Sequence, residues 1–380
     1  MSYLIIHLGT EEMGIRYLLF AALGLFMLLG CKKNHEEPEK DWITSENQLR
    51  IFAIADVTYI IKADNSLWAR GGVFTNKVGN KDKGFKLVEK DVKKVVGDCC
   101  SMYILKTDNS VWGTTHFFSV DEELPNEKGP LEKITDGAID ISSGRNFVAI
   151  LKNDGTAWAY GENGSGEFGI GTRSYDPLPL TKIGSDVKQL ATGYSNIYLL
   201  KTDGTLWSAG DNIYGKLGYV ATEDQRTFKL VNKDIKLVRA QENNVIMINS
   251  KNEAWSFGSN VNGSQGTGVR NQDPTYPHKI GEQVANAYPN GRASYFLKTD
   301  GTLWASGNHS QGQLVVQIHE NSNRFTQVAE NVKGMTIESG AGHCIILKDN
   351  QLLGSGKNNQ RQLSNDPVDA IVTWTKFELP

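Results

Sequence analysis

Hydrophobic and polar positions along this chain recur with a long period. A near-continuous apolar run ends in Lys, a short polar turn follows, and the chain restarts with a hydrophobe and a Trp. Residues 200–207 and 297–304 (both LKTDGTLW) are identical, and residues 61–68, 105–112, 151–158 and 248–255 (IKADNSLW, LKTDNSVW, LKNDGTAW, INSKNEAW) are variants. A degenerate seventh copy at 347–354 (LKDNQLLG) has lost its Trp and puts Gly354 in that place. From Trp68 through Trp112, Trp158, Trp207, Trp255 and Trp304 to Gly354 the steps are 44, 46, 49, 48, 49 and 50 residues. That span holds four short strands with their turns, the unit of a propeller blade.

One copy shows the strands. Residues 187–191 carry spaced hydrophobes, and residues 197–200 (IYLL) form an apolar run suited to a strand buried on both faces. Asp203-Gly204 predicts a two-residue type I′ hairpin, in which both central residues need positive φ, and Asn in the other copies (Asn65, Asn252) tolerates that backbone. Leu206 and Trp207 then fall on opposite faces of the return strand. Residues 228–231 (FKLV) predict the fourth strand. The pattern therefore predicts an all-β, seven-bladed β-propeller over residues 48–380. The chain enters at residues 49–54, read as midway through a repeat, and leaves at residues 374–377. On that phase one blade is built from both termini, so that N- and C-terminal strands close the ring and remove a free sheet edge.

The repeat resembles that of the regulator of chromosome condensation (RCC1) family. Gly340-Ala341-Gly342-His343 matches its Gly-x-x-His, whereas Gly144 and Gly193 are followed by Phe147 and Asn196 in the His position. Its Gly-x-Asn-x-x-Gly element stands at Gly161/Asn163/Gly166, Gly210/Asn212/Gly215 and Gly258/Asn260/Gly263. The resemblance implies a seven-bladed propeller of RCC1-like repeats. Function transfers less readily, because one fold hosts many functions. The founding member acts on a nuclear GTPase and chromatin, but this chain has an export-like leader and no basic tail, so neither a GTPase nor nucleic acid is an expected partner. The Gly-Trp-Arg-His-Thr cluster of the ultraviolet-B receptors of this fold is also absent. A secreted β-lactamase inhibitor on the same propeller, binding through loops on one face, is the nearer parallel.

The N-terminus adds a second pattern. Residues 17–29 (YLLFAALGLFMLL) form an apolar run of 13, too short for a spanning helix of about 20 residues and of the length of a signal-peptide core. It ends in Leu28-Leu29-Gly30-Cys31, which resembles a bacterial lipobox, so residues 1–30 are read as a signal peptide and Cys31 as the lipidated residue. Glu11 and Glu12 oppose the usual basic leader, and a start at Met13 with Arg16 gives a cleaner one. Residues 31–47, with the polar stretch 32–40 (KKNHEEPEK), read as a flexible tether. The expected location is the bacterial cell envelope, lipid-anchored at the outer membrane or cell surface. Net charge is −3 over 40 basic and 43 acidic residues, which lacks the basic footprint of a nucleic-acid binder. With Cys31 committed to lipid, Cys99, Cys100 and Cys344 leave an odd number, which argues against a disulfide framework.

Chemistry-bearing motifs are absent. The seven His have no metal-ligand spacing, and neither a Gly-x-Ser-x-Gly elbow nor a phosphate loop occurs, so the sequence points to no cofactor, metal or catalytic residue. His343 reads as a structural His of the repeat. The expectation is a monomeric, non-catalytic, membrane-tethered binding module that recognises an envelope protein or glycan through loops on one propeller face. Phe117, Phe118, Tyr175 and Tyr276 are its candidate contacts, since aromatics anchor interfaces; packing between blades is their competing role. The alternative is an envelope polysaccharide hydrolase or lyase with carboxylates assembled in the central channel.

Overall fold

A computed structural model describes residues 50–54, 57–71, 84–98, 101–114, 131–219, 224–270, 276–314, 322–337, 342–366, 368–377 and 379. The signal peptide, Cys31, the tether, Cys99, Cys100, Phe117 and Phe118 lie outside these residues.

Seven four-stranded antiparallel sheets follow one another along the chain, spanning 50–89, 92–135, 138–184, 187–232, 235–281, 284–329 and 332–376. In blade 4 the strands are Val187–Thr192, Asn196–Lys201, Leu206–Gly210 and Gln225–Asn232, each paired with the next. The first strands of successive blades touch one another all the way round, so they surround the axis and the fourth strands form the rim. Antiparallel order puts the 1–2 and 3–4 connections at one end of the ring and the 2–3 and blade-to-blade connections at the other.

The second strands explain the continuous apolar runs. Phe147, Ala149 and Leu151 pack toward blade 4, while Val148 and Ile150 pack toward blade 2. Ile197 and Leu199 face blade 3, whereas Tyr198 and Leu200 face blade 5. Strand alternation with both faces covered makes these positions mainly apolar, with Thr58 and Ser294 as buried polar exceptions in other blades. Seven apolar clusters result, one in each seam between neighbouring blades. Trp158, Trp207, Trp255 and Trp304 each lie half-buried against the cluster shared with the preceding blade.

The hairpin between strands two and three differs from the expected type I′ turn. Gly204 N–H donates to Lys201 O at 3.0 Å and Lys201 N–H to Thr205 O at 2.9 Å, and only Gly204, at φ 80°, is left-handed. This is a type I turn followed by a left-handed residue, as in a G1 bulge. Asn65, Asn109, Gly155, Asn252 and Gly301 repeat it at φ 61–82°. The bulge frees that residue's carbonyl to reach the next blade. Val92, Ala138, Val187, Ile235, Val284 and Val332 donate their N–H groups to Asn65, Asn109, Gly155, Gly204, Asn252 and Gly301 at 2.8–3.0 Å.

Side chains brace the same turn in five blades. Asp203 Oδ1 accepts from the N–H and hydroxyl of Thr205, and Thr205 Oγ1 in turn accepts the Trp207 indole N–H at 2.9 Å. The sets Asp64/Ser66/Trp68, Asp108/Ser110/Trp112, Asp154/Thr156/Trp158 and Asp300/Thr302/Trp304 repeat the relay. The Lys that ends each second strand lies over the Trp ring, 4.2–5.3 Å from its centroid. Hydrogen bonds from the Ser or Thr hydroxyl, then from its N–H, hold each Asp carboxyl below its ordinary range.

The ring closes where the terminal strands meet, but among the described residues no blade is shared between the termini. Arg50–Ile54 is the first strand of its own blade, and Ala370–Lys376 is the fourth strand of blade 7. The chain therefore enters at a repeat boundary rather than midway through a repeat, and closure rests on side chains. Phe85 meets Phe377 edge to face at 6.0 Å. Arg70 donates to Arg361 O at 2.7 Å and to Asn365 Oδ1 at 2.8 Å. Thr58 Oγ1 donates to Gln362 O at 3.0 Å and shares a hydrogen bond with His343 Nε2 at 3.0 Å.

Blade 7 also shifts the alignment of the repeat. Asp349 and Asn350 are both left-handed, at φ 48° and 61°, and Lys348 pairs directly with Gln351, so here the hairpin has the type I′ geometry and is one residue shorter. Leu353, opposite Ile346, thus occupies the Trp position, rather than Gly354. Trp374 from the fourth strand packs into the same seam and donates its indole N–H to Val328 O at 3.3 Å.

Two outcomes follow from the turn. Gly204→Val lowers stability by about 1–2 kcal/mol, whereas Gly204→Asn changes it by less than about 0.5 kcal/mol, as read from denaturant midpoints. The five Asp carboxyls contribute stability that is present above their unfolded pKa of about 3.9 and lost as pH falls through their lower folded values, so denaturation midpoints drop steeply below about pH 4 and less so in Asp→Asn variants.

Candidate functional site

The 3–4 connections are the longest in sequence, and in their described parts the Gly-x-Asn-x-x-Gly element shapes them. The Asn Oδ1 accepts a backbone N–H five residues on: Asn163 from Phe168, Asn212 from Leu217, Asn260 from Gln265 and Asn358 from Leu363, at 2.9–3.1 Å. Their Nδ2 groups donate to Thr172 O, Tyr219 O, Val269 O and Val368 O at 2.9–3.3 Å, tying both ends of each loop together. In blade 6 His309 Nδ1 takes the acceptor role toward Leu314 N at 3.2 Å. The leading Gly is left-handed because its strand crosses the 1–2 turn closely; a Cβ on Gly210 would collide with the Ser195 carbonyl.

These loops carry most of the exposed apolar surface. Of eleven large hydrophobics exposed among the described residues, eight lie in or beside the 3–4 connections, on one end of the ring. They include Tyr175 (81% exposed), Tyr276 (61%), Ile213 (60%) and Val261 (49%). The opposite end presents polar and charged turn residues such as Asp91, Asp186, Lys233, Asp234 and Glu282. Tyr214, beside Ile213, is held left-handed at φ 67° and ψ 15°, a backbone that Gly adopts without strain and Tyr does not.

The axis opens at the same end in a cavity of about 210 Å³. Its described walls come from the ends of the first strands of blades 1–5 and are mostly Gly, Ala, Ser, Thr and Val, with Phe52 and Tyr194. Backbone bonds link its rim: Arg145 N–H donates to Tyr194 O at 2.8 Å, and Tyr194 N–H donates to Glu242 O at 2.9 Å. Asp98 and Glu242 are the carboxylates in that wall. Asp98 accepts from the N–H and hydroxyl of Ser101, at 2.7 and 3.0 Å, and from Asn146 N–H at 3.4 Å. Glu242 is buried against Gly291, where a Cβ would strike its carboxylate. Asp98 is committed to the frame of the ring and Glu242 is buried, an arrangement that does not favour the hydrolase or lyase alternative.

One slot beneath the loops varies by blade. It holds Gln313 in blade 6, Lys216 in blade 4 and Glu167 in blade 3, all buried. Gln313 donates to Asn308 Oδ1 at 3.2 Å, and Lys216 pairs with Asp211 at 2.7 Å. In blade 3 the corresponding pair is Glu167 and Glu162, two carboxyls. Burial, then the charges of Glu162 and Asp224, raises the Glu167 carboxyl to about 7, against bonds from its own N–H and from Ser165 N–H.

Of the candidate contacts read from sequence, Tyr175 and Tyr276 stand exposed on this end, on blades 3 and 5, and pack between no blades. Ile213, Tyr214 and Val261 escaped sequence reading because they are x positions of the Gly-x-Asn-x-x-Gly element, and the pattern does not say which x faces out. His343 is buried in the closing seam, as a structural His of the repeat. Burial pushes the Cys344 thiol up to about 12, which leaves it an unreactive core residue. Among the described residues no group of His, Cys, Asp and Glu could hold a metal ion, and no helix is long and apolar enough to cross a membrane.

Fold and repeat together define a seven-bladed propeller of repeated hairpin-and-loop blades. The repeats are RCC1-like: the model of the regulator of chromosome condensation (RCC1) repeat matches residues 138–167, from the first strand of blade 3 to its Gly-x-Asn loop. No curated protein matches the chain. Among solved structures, Prp20p from Saccharomyces cerevisiae, described with its binding to Gsp1p and histones, is 14% identical with a TM-score of 0.64 over 77% of this chain and 81% of that one. Yeast RCC1 (Prp20) bound by Kap60 gives 14% and 0.68 over 91% and 87%. Human WBSCR16 gives 16% and 0.61 over 78% and 86%. At these identities the likeness establishes the fold.

Glu167→Gln retains the acceptor for Ser165 and restores the Gln of blade 6. The raised folded pKa favours the protonated acid, so native stability falls as pH rises from about 4.5 to about 7 and stays lower above it. The variant is more stable than the parent at pH 8 by on the order of 1–3 kcal/mol and matches it at pH 4.5, by thermal unfolding at the two pH values. Tyr214→Gly raises stability by about 1 kcal/mol through relief of the left-handed backbone.

Proposed function

We propose that this propeller is a non-catalytic docking module that binds a protein partner through its 3–4 loops and is held at a bacterial envelope membrane by lipid on Cys31. The observation that carries the reading is the asymmetry of the two ends: apolar side chains, a strained Tyr and the axial opening share one end, while the other is a rim of polar turns. Exposed aromatics grouped on one face are the usual anchors of a protein interface. Prp20p, whose fold this chain shares, is itself described by its binding to proteins. The tether rests on the lipobox resemblance at residues 28–31. Several acyl chains, each contributing about 0.8 kcal/mol per buried CH₂, hold a protein on a bilayer stably.

Residues 41–380, used as bait on solubilised envelope of the producing cells, retain a partner that is lost in the triple variant Ile213→Ser, Tyr214→Ser, Tyr276→Ser and kept in Lys233→Ala, Asp234→Ala. Equal retention by both variants defeats the assignment to this face. In the full chain, Cys31→Ala abolishes palmitate labelling and moves the protein out of the membrane fraction; labelling that persists refutes the anchor.

A further inference from the structure

Five of the six repeat Trp residues are closed on their outer side. Lys62, Lys106, Lys152, Lys201 and Lys298 lie over the rings of Trp68, Trp112, Trp158, Trp207 and Trp304, and each of those indole N–H groups donates to a Ser or Thr hydroxyl. Blade 5 breaks both closures at once. Asn249 stands in place of the Lys and turns back into its own hairpin, accepting from Lys251 and Glu253 N–H at 3.1 and 2.9 Å. Glu253 stands in place of the Thr and swings away from the indole, accepting from Asn249 Nδ2 at 2.8 Å and from Lys279 Nζ at 2.7 Å.

Trp255 keeps its inner contact with the seam between blades 4 and 5 and is half-buried like its counterparts. Among the described residues no cation or aromatic ring lies over it and no acceptor takes its N–H. Lys279 is its direct neighbour across the third and fourth strands and also pairs with Glu282 at 2.6 Å. The result is an aromatic plate with a free donor at its edge, flanked by a carboxylate and an ammonium. This plate is remote from the 3–4 loops, near the opposite end of the ring.

We propose that Trp255 is the platform of a second binding site, for a neutral pyranose of an oligosaccharide. The C–H groups on one face of a sugar ring are drawn to the negative face of an indole. Sugar hydroxyls both donate and accept, which matches Glu253 as acceptor and Lys279 and the indole N–H as donors. The flanking charges select against ionic ligands, since an anion would meet Glu253 and a cation would meet Lys279. The site is independent of the protein-docking face.

The test restores the sibling repeat. The double variant Asn249→Lys, Glu253→Thr rebuilds the Lys cap and the hydroxyl acceptor that five other blades carry, so it closes the plate without removing the Trp. Indole N–H signals of residues 41–380 are followed by nuclear magnetic resonance while hexaoses of β-linked glucose, β-linked N-acetylglucosamine or mannose are added. A shift of the Trp255 signal with at least one sugar is expected, weakened about tenfold or more in the double variant and in Trp255→Phe. Absence of any shift with all three sugars overturns the proposal. So does binding that persists undiminished in the double variant, or shifts confined to other Trp residues.

Discussion

One backbone hydrogen bond sets the frame of this ring: the first N–H of a blade donates to the carbonyl of the left-handed residue in the preceding blade's central hairpin. A buried donor without a partner is costly, so this N–H needs the bond. The bond therefore fixes where each blade begins relative to the last. It also restricts the hairpin to a type I turn with a following Gly or Asn, because only that geometry turns the carbonyl outward at tolerable strain. The Asp, the Ser or Thr, the Lys and the Trp brace that turn, which is why they recur together.

The two ends of the ring then come under different constraints. At the hairpin end six of the seven hairpins are committed to this joint, and the exposed turn residues are polar. At the other end the Asn of each Gly-x-Asn element supplies the backbone acceptor internally, so the loop tip is released from the frame and can vary. Ile213, Tyr214, Val261 and Tyr276 occupy that released space. The buried slot below holds Lys with Asp, Gln with Asn, or two carboxyls, and in blade 4 its Lys216 also reaches Asn243 of the next blade. Variation in these loops costs the propeller little, and function has room there.

The closing seam shows how a degenerate repeat is accommodated. Blade 7 shortens its hairpin by one residue and places Leu353 where a Trp belongs. Trp374 fills the seam from the neighbouring strand, and the junction with blade 1 gains Phe377 on Phe85, Arg70 on the blade 7 loop and the Thr58–His343 bond. Among the described residues this seam lacks the hairpin-carbonyl bond of the other six, and these side chains hold it instead.

The sequence by itself determined the number of blades, their strand order, the double-sided burial of the second strands and the seam position of the Trp residues, because each follows from a periodicity that local chemistry enforces. It also marked Tyr175 and Tyr276 as exposed candidates, while Phe117, Phe118 and Cys31 lie beyond the described residues. Asp-Gly suggested a type I′ turn, yet the type I turn with a bulge won in six blades because the carbonyl must reach the next blade, a demand invisible within one hairpin. The phase of the repeat at the N-terminus likewise differs from the expected one, since Arg50–Ile54 fits either a first strand or a middle one until its partner is known. Only the tertiary structure decided which loop positions face out, that Asp98 serves the frame, and that Trp255 alone among its siblings is left open. Those properties depend on what packs against a residue from another blade, and no local pattern encodes that.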